Sequence, residues 1–74
     1  MQYIAYMDIG ETIKQRRVLL GLTQQDLADF SGVGLRTIRQ IEVGEGNPSV
    51  GTLNRILAAL GLELNIRVKD VNNG

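Results

Sequence analysis

Four stretches of this chain repeat apolar residues at helical spacing, and a fifth alternates strictly. Ile9, Ile13, Arg17 and Leu20 fall on one helical face, with Arg16 beside them. Asp8 precedes this run and Glu11 follows three residues later, a variant of the capping box that marks a helix start. Gly21 stops the helix, so the spacing predicts a first helix over residues 9–20. Thr23 opens a second, with Asp26 three residues on and Leu22 placed to staple onto Leu27. It ends near Ser31, because Gly32 breaks the pattern. After a short turn, Gly34 caps a third period carried by Leu35, Ile38 and Ile41. Residues 43–48 are rich in Gly and Asn and read as a loop. Ser49 caps a fourth helix with Leu53, Ile56, Leu57 and Leu60 inward. Gly61 then provides a left-handed stop, and Leu62 the apolar contact of a Schellman motif.

From Leu62 the period drops to two. Leu62, Leu64, Ile66 and Val68 alternate with Glu63, Asn65, Arg67 and Lys69, the signature of a half-buried strand. A lone strand has unpaired backbone groups, which are costly to bury. Residues 2–6 offer one weakly patterned partner within the chain. The same strand of a second copy, paired antiparallel about a two-fold axis, is the more economical one. The expected class is therefore mainly α, a compact four-helix domain followed by one C-terminal β-strand pairing across a homodimer. Residues 1–8 form an arm, 9–61 the helical domain, 62–70 the dimerisation strand and 71–74 a frayed tail.

Composition narrows the function classes. With 74 residues the chain is one domain at most. It has no cysteine and no histidine, which removes disulfides, thiolate metal sites and the commonest general base. Asp8, Glu11 and Asp26 are accounted for as caps, and Asp29 and Glu45 stand alone, so no acid pair suits general acid–base work. The glycines punctuate helices and form no phosphate loop. An enzyme is not expected, nor a metal or cofactor. No apolar run approaches the roughly 20 residues of a membrane span, and residues 1–7 do not read as a signal peptide. The expected location is cytoplasmic.

The second helix, the glycine-containing turn and the third helix make a helix-turn-helix arrangement. On the third helix Leu35, Arg36, Arg39 and Gln40 share a stripe about 140° wide at 100° per residue, and Ile38 and Ile41 point elsewhere. The stripe is expected to face out. Arg can pair with guanine, Gln with adenine, and Leu can touch a thymine methyl. A solvated helix face explains two arginines equally well.

The stretch from Arg17 through Gly21-Leu-Thr-Gln24 to Leu27-Ala28 carries a family resemblance. So do Gly32-Val33, Ile38, Ile41-Glu42-x-Gly44 and Asn47-Pro48-Ser49. Together they resemble the lambda-repressor-like (Cro/XRE) helix-turn-helix family over about residues 9–60. The resemblance implies double-stranded DNA as partner, with the residues opening the third helix in the major groove. It implies a phosphate contact at Gln24, beside Thr23 at a helix N-terminus. It also implies a largely buried ion pair between Arg17 and Glu42, a structural role.

Two departures stand out. The loop after the third helix often carries Lys or Arg in this family. Here it reads Gly44-Glu45-Gly46-Asn47, so phosphate contact falls to Asn47 or backbone amides, or the loop stands clear. Phe30 stands where the family has a polar exposed residue. It is either a core variant or an exposed anchor for a protein partner.

The C-terminal strand resembles that of HipB-type antitoxins, which repress their own operon and bind a HipA-like kinase toxin. The expected function is a homodimeric repressor on a palindromic operator, with antitoxin and lone regulator both open. The rival is an interaction module of the same fold that has lost strong DNA binding.

The formal net charge of zero fits that rival, but the distribution of charge weakens the point. Residues 31–41 carry Arg36 and Arg39 with no acid. Neutrality then implies weak non-specific binding and a shallow salt slope.

Overall fold

The computed structural model describes residues 8–65 and Val68. Its elements in order are α1 (Ile9–Leu19), α2 (Gln24–Ser31), α3 (Leu35–Glu42) and α4 (Val50–Ala59). Each boundary has a local cause. The Asp8 carboxylate accepts the Glu11 N–H at 2.8 Å, satisfying one of the orphan donors of α1. The Glu11 carboxylate does not close the box. It accepts instead from the Gln15 amide at 3.3 Å. At α2 the box is complete: Thr23 Oγ1 accepts the Asp26 N–H, and Asp26 accepts the Thr23 N–H, both at 2.9 Å. Ser49 caps α4 through the Thr52 N–H at 3.1 Å.

The C-terminal ends of α1, α3 and α4 share one device. Beyond α4, the Leu62 N–H donates to the Leu57 carbonyl at 2.8 Å and the Gly61 N–H to Ala58 at 3.1 Å. That pair of bonds is a Schellman motif, and it requires the left-handed backbone that Gly61 supplies at φ 73°. The same two bonds recur around Gly21 after α1 and around Gly44 after α3.

Ile13, Leu27, Ile38, Ile56 and Leu60 are fully buried at the centre. Ala28, Val33, Ile41, Leu53 and Leu57 surround them, and Leu22 packs onto the cluster. α2 packs against both α3 and α4, and α1 against α3. Gly10 sits where α1 meets the end of α3. A Cβ there would collide with the Ile41 carbonyl oxygen. Arg16 ties α1 to α4, its Nε donating to the Leu60 carbonyl at 2.9 Å. Neither contact was predictable from the apolar period. Of the residues assigned to the inward face of α1, Ile9 and Leu20 remain exposed at its two ends.

Among the described residues there is no β-strand. Leu62 is half-buried against the core, as the cap of α4 requires, while Leu64 and Val68 are exposed, Val68 at 96%. A ladder needs two strands, and the described part of one chain supplies no second. Ile66 and residues 2–6 lie outside the described residues.

Candidate nucleic-acid interface

α2, the turn 32–34 and α3 form the helix-turn-helix, and the turn is tightly specified. Gly32 takes the left-handed conformation at φ 72°, and its N–H donates to the Ala28 carbonyl at 2.9 Å. The buried Ser31 hydroxyl accepts the Val33 N–H at 3.2 Å. Val33 itself inserts into the core. Gly34 then caps α3 without contributing a side-chain bond.

α3 divides cleanly. Ile38, Ile41 and Glu42 are buried, and Arg36 and Arg39 are exposed. Gln40 is half-buried beside Gly46. Leu35 differs from the expectation of an exposed apolar contact. It is half-buried and packs against the core cluster that includes Val33, because angular spacing along a helix gives a direction and not the neighbour that fills it. The outward stripe therefore rests mainly on Arg36 and Arg39.

Behind the stripe, Arg17 and Glu42 meet in a bidentate pair. Arg17 Nε donates to Glu42 Oε2 at 2.7 Å and Nη2 to Oε1 at 3.0 Å, while Nη1 donates to the Leu22 carbonyl at 2.8 Å. The two side chains are 11% and 2% exposed. The hydrogen bond that Arg17 donates to Glu42 raises the Arg17 pKa, against desolvation, with the carboxylate charge adding to the rise. Arg17 therefore stays charged at any working pH.

Gln24 occupies the junction between this pair and the surface. Its Nε2 donates to Glu42 Oε1 at 3.1 Å, and its Oε1 accepts from Arg39 Nε at 3.4 Å. A side-chain amide has two N–H donors, so one remains free for an outside acceptor such as phosphate. The interior link was missed from sequence. Gln24 lies 15 and 18 positions from its partners, and no periodicity connects them.

Thr23 is exposed, but its hydroxyl already accepts within the capping box, and the Asp26 carboxylate beside it opposes an approaching phosphate. Asn47 and Glu45 are both exposed on the loop after α3. Phe30 is 66% exposed on α2, so it is not a core variant. No helix among the described residues is long and apolar enough to cross a membrane.

The profile of the helix-turn-helix family matches residues 13–66. An uncharacterized HTH-type transcriptional regulator of Methanothermobacter thermautotrophicus is 45% identical over 51 residues, covering 69% of this chain and 74% of the relative. Another from Haemophilus influenzae is 42% identical over 65 residues, covering 88% of this chain and 65% of the relative. Among solved structures, SinR, the master regulator for biofilm formation crystallised in complex with DNA, superposes with a TM-score of 0.70. It shares 33% identity and covers 76% of this chain and 90% of its own. With this profile match, these relatives and this fold, the chain belongs to the Cro/C1-type (XRE) helix-turn-helix family of transcriptional regulators.

Proposed function

We propose that the protein is a sequence-specific DNA-binding repressor that acts as a homodimer. One observation carries the reading. α3 buries its apolar face and Glu42, and presents Arg36 and Arg39 to solvent on a helix-turn-helix. The likeness to a regulator crystallised with DNA supports it. Arg36 and Arg39 read base edges, Gln40 flanks them, and Leu35 offers only its exposed part to a thymine methyl. Thr23, Gln24 and Asn47 approach phosphates, which position the domain without reading sequence.

Two subunits join through the 62–68 segments, whose alternating residues Leu62, Leu64, Ile66 and Val68 call for a second strand. Their α3 copies then sit about 34–36 Å apart on a palindromic operator. Bound at a promoter, the dimer excludes polymerase. A mobility-shift assay on the DNA upstream of its own gene, at two salt concentrations, tests this. A specific complex that weakens with salt is expected, and a chain giving none overturns the reading. Truncation after Gly61 is expected to give monomers with much weaker operator affinity, and a truncated chain that still sediments as a dimer removes the strand interface.

The exposed Phe30 favours one second reading, a protein partner docked on α2. If the HipB-like layout extends to function, that partner is a HipA-like kinase toxin and the protein its antitoxin. Co-purification with a kinase-like protein, lost in Phe30→Ser, tests it.

A further inference from the structure

We infer that Gln24 is a positioning residue for Arg39, carrying the order of the buried ion pair out to the base-reading surface. The inference rests on the reading of α3 as the base-reading helix. It begins at Glu42, whose side chain is 2% exposed. An ionised carboxylate only accepts hydrogen bonds. Arg17 holds both of its oxygens, at 2.7 and 3.0 Å, so the group cannot turn away. Oε1 of Glu42 also accepts from Gln24 at 3.1 Å. That bond decides which end of the Gln24 amide faces inward. The NH2 must meet the carboxylate, so the carbonyl oxygen points the other way.

Arg39 meets that oxygen. Its Nε donates to Gln24 Oε1 at 3.4 Å. With the amide reversed, oxygen would face carboxylate and NH2 would face guanidinium, two repulsive contacts in place of two attractive ones. The chain Arg17–Glu42–Gln24–Arg39 therefore has a fixed polarity. Among the described residues Arg36 has no comparable anchor.

The consequence for recognition is specific. With Nε engaged inward, Arg39 is presented end-on, and its two Nη groups are left to face outward. Arginine pairs bidentately with the O6 and N7 of guanine. A tethered guanidinium also loses less conformational freedom on binding than a free one. Gln24 thus influences which base is read without touching it.

Four proteins test this: wild type, Gln24→Met, Arg39→Ala and the double variant. Methionine keeps the length of Gln24 and its helix preference while removing both polar ends. Each is measured against the best operator and its single-base-pair variants. Gln24→Met is expected to lower affinity about 2- to 10-fold, the range set by freezing one long side chain. The sequence-dependent part of the loss is concentrated at the base pair whose preference Arg39→Ala relaxes, and that part vanishes in the Arg39→Ala background, leaving only the uniform part due to phosphate. Equal loss in both backgrounds, uniform across sequences and with a salt slope reduced by about one, leaves Gln24 a phosphate contact with no hold on Arg39 and overturns the proposal.

A second readout needs no DNA. Nitrogen relaxation of the arginine Nε–H groups in the free protein is expected to show Arg39 loosening in Gln24→Met and Arg36 unchanged. An unaltered Arg39 overturns the proposal. The two failures separate cleanly. A wild-type chain without a specific complex removes the reading of α3, and relaxation still decides whether Gln24 holds Arg39. Specific binding without coupling removes the role of Gln24 alone.

Discussion

The two faces of α3 are made of similar polar chemistry and do opposite work. On the inner face Glu42 is locked by Arg17 and Gln24, beside Ile38 and Ile41. On the outer face Arg36 and Arg39 stand in solvent. A buried charge with a single partner set is expensive to disturb, because removing one member strands the other in a low-dielectric site. An exposed charge contributes little to stability and is free to serve a ligand. One helix of eight residues thus separates folding from recognition by its orientation.

The contrast can be broken by substitution. Glu42→Ala is expected to cost about 3–5 kcal/mol, since it leaves Arg17 charged and unpaired. Urea denaturation measures this, and a loss below about 1 kcal/mol would mean that the pair is dispensable. Glu42→Gln lowers the melting temperature, and the folded fraction keeps its sequence preference except at the base pair read by Arg39, which the Gln24 link reaches. Gly10→Ala comes next, at about 1–3 kcal/mol, because the added methyl meets the Ile41 carbonyl oxygen and forces α1 off α3.

Arg36→Ala gives the converse. It is expected to leave stability within about 0.5 kcal/mol. It weakens the best operator by about 1–3 kcal/mol and relaxes preference at one base pair. Equal weakening on all sequences would reassign Arg36 to phosphate. Thr23→Ala is the smallest of the structural losses, about 1 kcal/mol: it removes the hydroxyl that accepts the Asp26 N–H, while the backbone N–H at position 23 can still donate to Asp26. Thermal unfolding of Thr23→Ala beside Thr23→Ser checks the cap, because serine restores the hydroxyl that accepts the Asp26 N–H.

The candidate interface was legible in outline only. The turn, the stripe with Arg36 and Arg39, and the places of Arg17, Gln24 and Glu42 follow from short motifs. Leu35 read as exposed, because angular spacing gives a direction and not the neighbour waiting there. It is half-buried against the core cluster that includes Val33. The link from Gln24 to Glu42 and Arg39 joins α2 to α3 across the turn, and nothing in the spacing of an amide and a guanidinium announces it.

The amino-acid sequence by itself determined where the helices begin and end. Capping side chains act over three residues, and left-handed glycines close Schellman motifs within six, so Thr23, Ser49, Gly21 and Gly61 speak for themselves. Tertiary structure alone decided what touches what across elements. It put Gly10 against the end of α3, gave Arg16 the Leu60 carbonyl, and left Phe30 in solvent. Those outcomes depend on how helices distant in sequence pack, and packing geometry is a property of the assembled surfaces, not of any one stretch of chain.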